Sequence, residues 1–175
     1  EVTLTFVYGQ ILGVSSTFIF LFILFGAFLS ATGMSAVFND IAMSVAGGAR
    51  GGPAKVSVVA SGLMGSISGS ASANVVTTGA FTIPLMRRTG YKDYFASSVE
   101  AVASTGGQIM PPVMGSAAFI IADSLGVPFL SIIRAALLPA ILYYVSAWIM
   151  IDLRARKENI EGLPKEELPK LKKVL

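Results

Sequence analysis

The sequence predicts an all-α membrane protein, built of transmembrane helices, a re-entrant helical hairpin and a broken helix. Three observations predict it. Of 175 residues, 54% are hydrophobic and 13% charged, about half the charged share of an ordinary soluble domain. The charges leave long gaps: residues 2–39, 56–86, 101–122 and 135–151 carry none, and a bilayer-spanning helix needs about 20 mostly apolar residues. Two of these gaps have centres that an ordinary span avoids, GSISGSASANVVTTG from Gly65 to Gly79 and STGGQIMPP from Ser104 to Pro112. A soluble fold with four such buried helices would keep too little polar sequence to cover them.

The first element is a transmembrane helix from Thr17 to about Phe38, inside an apolar run that starts at Ile11. Asn39 to Lys55 reads as a loop centred on GGARGGP, with a short interfacial helix over 39–46. Val56 to Met86 follows, 31 residues without a charge, flanked by Arg50 and Lys55 before it and Arg87, Arg88 and Lys92 after it. Two full spans need about 40 residues plus a turn, so this stretch cannot cross and return. A single span would put the two basic clusters on opposite sides, against the positive-inside rule. A hairpin that enters and leaves by one face satisfies both constraints.

Asp93 to Leu125 is the broken helix. Pro111 and Pro112 remove backbone donors and clash with the preceding turn, and Pro111 biases Met110 away from helix. The expectation is helix over 93–103, an unwound centre, then helix over 113–125. The last span runs from Pro128 to about Ile151 with Pro139 as a kink, and Leu153–Leu175 is a polar cytoplasmic tail. With the hairpin opening inside, twelve of the thirteen Lys and Arg are cytoplasmic and Arg134 is the exception. The corresponding division is 1–55 (first span and cytoplasmic loop), 56–127 (hairpin and broken helix), 128–152 (last span) and 153–175 (tail). The chain opens on Glu1 and reads as an internal piece of a longer protein.

Composition also removes function classes. There is no Cys and no His, hence no disulfide, thiol chemistry or ordinary zinc site. GGARGGPAK looks like a phosphate loop, but Ala54 precedes Lys55 and Val56 follows it, where that loop needs Gly and Ser or Thr. An intramembrane serine protease lacks a base, and no enzyme is expected. The basic residues sit beside apolar spans and do not indicate nucleic acid.

Interrupted helices near the membrane midplane are where secondary transporters bind substrate and ions. The hairpin tip offers oxygens from Ser66, Ser68, Ser70, Ser72, Asn74, Thr77 and Thr78. The break offers Ser104, Thr105, Gln108 and glycine carbonyls. Taken singly, a serine here is more often helix packing; two polar clusters at midplane depth point to a site. Glu100 lies one turn before the break. It is either a functional intramembrane acid or an interfacial partner of Lys92 or Arg88. Asp123 and Arg134 fit interfacial positions. A channel segment with a re-entrant selectivity loop is the alternative, although a filter does not need a second broken helix.

GSISGSASANVVTTGAFTIPLMRRTGY and VEAVASTGGQIMPPVMGSAAFIIAD resemble the large membrane subunit of TRAP transporters (tripartite ATP-independent periplasmic transporters). EGLPKEELP resembles the fused-permease branch, in which small and large membrane subunits are one polypeptide. The resemblance implies sodium-coupled uptake of an organic anion, usually a carboxylate, in the cytoplasmic (inner) membrane of a bacterium or archaeon. It implies an elevator-type motion, no cofactor beyond the coupling sodium ion, a periplasmic substrate-binding protein and a small membrane subunit as partners. It also implies that these residues are the first of two inverted repeats, the second lying elsewhere in the polypeptide. On this resemblance Ser68, Gly69, Ser70, Asn74, Ser104, Thr105 and Gly106 are the candidate sodium ligands. Ser70, Ser72, Asn74, Thr105, Gly107 and Gln108 are the candidate substrate wall.

Overall fold

Helices account for nearly all of the regular structure in the computed structural model, which describes Gly9 and residues 11–169. The start of the first predicted segment and the end of the predicted tail lie outside the described residues. The continuously described residues begin with α1 (Ile11–Val14), a π-helical turn over Ser15–Ile19, and α2 (Phe20–Ala31). The turn Thr32–Gly33 then separates α3 (Met34–Ala46). The expected helix through Phe38 therefore ends earlier. Gly33 takes a left-handed conformation, φ 84°, which is open to glycine and strained for other residues.

α4 (Gly52–Ser68) and α5 (Ala71–Arg88) form a helix–turn–helix. Pro53 sits in the first turn of α4, where its missing N–H costs nothing. The helix stops at Gly69, which is left-handed at φ 60° and returns its N–H to the Gly65 carbonyl. Ser70 then caps α5 by accepting from the Ala73 amide at 3.3 Å. At 1.5 Å per residue each arm is roughly 26 Å long, short of a bilayer core of about 30 Å. Arg87 and Arg88 close α5 at the negative end of its dipole.

After Tyr91 comes α6 (Asp93–Gly106), an irregular stretch over 107–115 that includes a cis Pro111–Pro112 bond, and α7 (Ser116–Leu125). α8 (Phe129–Glu158) contains Pro139 in its interior. It is about 45 Å long and reaches seven residues past the expected end at Ile151. Among the described residues two helical stretches are long and apolar enough to cross a membrane, Leu12–Leu29 and Phe129–Glu158. The Phe22, Phe119 and Phe129 rings cluster where α2, α7 and α8 meet, with Phe119 and Phe129 stacked 4.3 Å apart and Phe22 tilted against both.

Two buried apolar clusters hold the hairpin base. One joins Ala54 and Val58 of α4 to Ala96, Val99 and Ala103 of α6 and to Ile151 and Ala155 of α8. The other joins Ala42, Met43 and Ala46 of α3 to Val56, Ala60 and Leu85. The described part of the tail folds back over this base. The Leu163 amide donates to the Gly47 carbonyl at 2.8 Å, and the Gly51 amide donates to Ile160 at 3.2 Å. Lys55, expected as a basic flank, is 4% exposed and pairs with Asp152 of α8 at 2.7 Å.

Candidate functional site

Three pairs of polar side chains, each spaced one helical turn apart, face a common centre. Ser57 and Ser61 lie on α4, Thr78 and Thr82 on α5, Glu100 and Ser104 on α6. Side chains four apart on a helix share a face. The two hairpin arms run antiparallel, which sets Ser57 opposite Thr82 and Ser61 opposite Thr78. The Glu100 carboxylate, 0% exposed, occupies the centre. One oxygen accepts from Ser61 (3.2 Å), Thr78 (2.5 Å) and Ser104 (2.9 Å). The other accepts from Ser57 (2.7 Å) and Thr82. Among the described residues no Lys or Arg forms an ion pair with Glu100. The interfacial alternative is thereby rejected: Arg88 pairs with Glu167, and Arg87 with Asp93. A buried carboxylate costs several kcal/mol unless it is paired or hydrogen-bonded; here hydroxyls do the stabilising.

Asn74 continues the cluster toward the tip. It is fully buried, and its amide donates to the Ser61 carbonyl at 2.8 Å. Immediately beyond it the hairpin and the end of α6 touch backbone to backbone. A methyl added at Gly65 would lie 2.3 Å from Gly107 Cα and 3.2 Å from Asn74 Nδ2. The break gives its amides to neighbours: Val113 N–H to the Ser66 carbonyl at 3.1 Å, Gly115 N–H to the Gln108 carbonyl at 2.7 Å. Such pairing is what makes unwound backbone tolerable away from water. From α8, the Tyr143 and Tyr144 hydroxyls donate to the Val102 and Ala103 carbonyls at 2.8 and 3.0 Å, and their rings cover Gly106.

A cavity of about 430 Å³ opens on the other side of this contact. Its walls include Ser68, Gly69 and Ser70 of the tip, Gln108 and Gly115 of the break, and Ser116. The N-cap Ser70 of α5 and the first residues of α7, Ser116 and Ala117, thus border one space, and neither helix has an acidic residue in its first turn. Free N–H groups and the positive dipole end at a helix N-terminus suit an anion.

The predicted site residues therefore fall into three groups. Ser68, Gly69, Ser70 and Gln108 come together at the cavity. Asn74, Ser104, Gly106 and Gly107 form the buried wall behind it. Ser72 and Thr105 are exposed and join neither group, and the Thr105 hydroxyl is held by the Ala101 carbonyl at 2.7 Å. The turn is tighter than the predicted tip: Ser72 and Asn74 already belong to α5. The break is displaced too, since α6 runs through Gly106 and α7 begins at Ser116 instead of Val113. Ser57, Ser61 and Thr82 were not singled out from sequence, although their spacing against Thr78, Glu100 and Ser104 was the available signal. Asp123 and Arg134 are exposed.

Residues 3–175 match the family described as tripartite ATP-independent periplasmic transporter, DctM component. A C4-dicarboxylate TRAP transporter large permease protein from Pseudomonas aeruginosa is 31% identical over 84% of this chain and 34% of its own length. The sialic acid TRAP transporter large permease protein of Vibrio cholerae is 28% identical over 82% of the chain and 33% of its own. The isethionate TRAP transporter permease protein DctMQ of Oleidesulfovibrio alaskensis is 35% identical over 52% of the chain and 14% of its own. The chain spans about a third of the length of the large permease proteins it matches.

Proposed function

The chain belongs to the tripartite ATP-independent periplasmic transporter family as its DctM component, and on that premise we propose that it is one half of the core of a sodium-coupled permease for an organic anion, a carboxylate first of all. It is a transporter component and not an enzyme. One observation carries the proposal. The turn Gly69–Ser70 meets the break at Met114–Gly115 beside a cavity that two helix N-termini border. These N-termini, with Gln108, offer donors to a carboxylate. Behind them, hydroxyl and carbonyl oxygens of Ser68, Gly69, Ser70, Asn74, Ser104 and Gly106 are available to a dehydrated sodium ion. Ser72, Thr105 and Gly107 complete the substrate wall in this reading, the first two on faces open to the rest of the permease.

The hairpin is re-entrant in this proposal: its arms are too short to span, and its basic ends share the cytoplasmic side. The hairpin and broken helix move together as an elevator, and a second, inverted repeat of the same polypeptide supplies the opposite wall. A periplasmic binding protein delivers the substrate, and a small membrane subunit completes the permease in the cytoplasmic membrane. The likeness to the DctMQ relative and the EGLPKEELP tail support a fused permease.

Uptake by the full-length permease in liposomes, with its loaded binding protein outside, tests this. An inward sodium gradient is expected to drive saturable accumulation against the substrate gradient. Non-saturating flux that never exceeds equilibrium would support the channel reading instead. Impermeant thiol labelling of Arg50→Cys, Ser72→Cys and Arg88→Cys tests the hairpin. Arg50 and Arg88 are expected to label from the cytoplasm only, with Ser72 sensitive to sodium or substrate. Labelling of 50 and 88 from opposite sides would overturn re-entrance.

A further inference from the structure

We propose that Tyr144 of α8 is a positioning residue for the transport site: its hydroxyl fixes the point at which α6 gives way to the break, and its ring presses that point toward the hairpin. The inference rests on the transport reading above, and it extends the site to a helix that does not line the cavity of about 430 Å³.

The backbone at the end of α6 shows why a hydroxyl matters there. In a continuing α-helix the Gly107 amide would take the carbonyl four residues back, that of Ala103. Here it donates to Ser104 at 3.1 Å, and Gln108, Ile109 and Met110 follow in the same three-residue pattern, to Thr105, Gly106 and Gly107. The winding tightens to 3-10, and at such a change one carbonyl drops out of the ladder. That carbonyl is Ala103, and the Tyr144 hydroxyl donates to it at 3.0 Å. A carbonyl only accepts, so the direction of this bond is fixed. Tyr143 donates likewise to Val102 at 2.8 Å, but Val102 lies one residue deeper, opposite Gly106, which still belongs to α6. The two hydroxyls are therefore unequal. Tyr144 satisfies a carbonyl that the helix has released, and Tyr143 adds a bond to one that the helix retains.

The ring contacts connect this bond to the site. A methyl added at Gly106 would lie 2.8 Å from Tyr144 Cζ, and one added at Gly62 of α4 would lie 3.5 Å from the same atom. The ring thus rests against a glycine of the hairpin and a glycine of α6. At the next residue the break meets the hairpin: a methyl on Gly107 would lie 2.7 Å from Gly65 Cα and 3.1 Å from Asn74 Nδ2. Tyr144, then Gly106–Gly107, then Gly65 and Asn74 form successive layers. The end of α6 is held between α8 and the hairpin, and with it Ser104 in the buried wall and Gln108 at the cavity. Without the Tyr144 hydroxyl the Ala103 carbonyl has lost its donor, a cost that the Gly107 amide relieves by returning to it. That return lengthens α6 and turns Gly107 and Gln108 out of place, and binding then has to reverse it.

The experiment is liposome uptake by the full-length permease with its loaded binding protein, comparing Tyr144→Phe with Tyr143→Phe. Each variant keeps the ring and removes one hydroxyl. For Tyr144→Phe the substrate KM and the sodium concentration at half-maximal uptake are each expected to rise about fivefold, the low end of what an unsatisfied buried carbonyl costs, with the maximal rate within about twofold of wild type. Tyr143→Phe is expected to match wild type in all three quantities. A merely structural role would lower the maximal rate, through less folded permease, and leave both half-saturation values unchanged. That result would overturn the proposal, as would equal shifts in the two variants or no shift in either. Wild-type uptake indifferent to sodium would overturn the coupling reading alone. The substrate KM of Tyr144→Phe then decides this one, a raised value supporting it and an unchanged value overturning it. If Tyr144→Phe does not fold, Gly106→Ala takes its place. Its methyl would lie 2.6 Å from Tyr143 Cε1 and 2.8 Å from Tyr144 Cζ, so it unseats both hydroxyls and keeps every backbone carbonyl. Raised half-saturation values are expected, and unchanged ones would overturn the proposal.

Discussion

The hairpin and broken helix, residues 52–115, and the two long flanking stretches, 12–29 and 129–158, follow opposite rules. In the first region the largest fully buried side chains include Glu100, Asn74, Thr78, Thr82, Ser57, Ser61 and Ser104. In the flanking stretches Phe20, Leu21, Ile23, Leu24, Phe28, Leu138, Leu142 and Met150 are exposed. A soluble protein would reverse both. With lipid as the outer solvent there is no hydrophobic drive between helices. Close backbone approach and interhelical hydrogen bonds take its place in the interior, and the outside need only be apolar. The difference separates the part where shape and partners are specified atom by atom from the part where chemical class suffices.

The most disruptive way to test that separation is to add one methyl group to the specified part. At Gly69 a Cβ would sit 1.8 Å from the Met114 carbonyl oxygen on a left-handed backbone, and at Gly65 it would sit 2.3 Å from Gly107 Cα. Both obstacles are backbone and cannot rotate away. Gly69→Ala and Gly65→Ala are each expected to cost about 3 kcal/mol, the upper end of overpacking, and to abolish uptake. Thermal unfolding of the full-length permease in detergent reads the first effect and liposome uptake the second. Near-wild-type stability in both would show that hairpin and break are not in contact.

A smaller effect is expected where the two regions are joined by charge. Lys55 is nearly fully buried, lies over the Trp148 ring at 4.9 Å and bonds Asp152, which also holds Arg156. The two single substitutions are therefore unequal. Asp152→Asn leaves a buried ammonium without its anion, the costly outcome for a buried pair. Lys55→Met removes the charge, keeps an apolar stem and leaves Asp152 its Arg156 partner. Melting temperatures should fall furthest for Asp152→Asn and less for Lys55→Met. The double variant should recover most of what Asp152→Asn loses. Equal losses in both singles, with no recovery in the double, would mean that the pair does not fasten α8 to the hairpin.

The helix–turn–helix of α4 and α5 and the break after α6 were legible because each leaves a mark in one stretch of sequence. The charge gap from Val56 to Met86 is too short for two spans, and the Gly106-Gly107 and Pro111-Pro112 pairs interrupt a helical pattern. The Glu100 cluster was only half legible. Glu100 stood out as an acid in an apolar segment, but apart from Ser104 on its own helix its partners lie 18 to 43 residues away. Their meeting depends on the antiparallel register of α4 and α5, which a single sequence does not state. Lys55 was read as a flank for the same reason, since Asp152 is 97 residues distant. The docking of residues 160–163 on the Gly47–Gly51 turn combines backbone bonds, which carry no side-chain signature, with burial of Ile160 and Leu163, whose distant partners a single sequence does not name.

The smallest expected effect belongs to the outer face. Phe28 and Leu138 are each 65% exposed, and nothing within the described residues specifies their shape. Phe28→Leu and Leu138→Met keep the apolar class, so stability should change by no more than about 0.5 kcal/mol, with uptake unaltered. Phe28→Asp changes the class. Phe28 lies near the end of the Leu12–Leu29 stretch, so the cost of insertion stays below the roughly 2.5–3.5 kcal/mol of an acid at a span's centre, but the amount of permease recovered from the membrane fraction should still fall. If Phe28→Leu alone lowers the melting temperature as far as Lys55→Met does, the face is packed against protein and not lipid. The contrast between a shaped interior and an unshaped exterior would then hold for these residues only until the rest of the permease covers them.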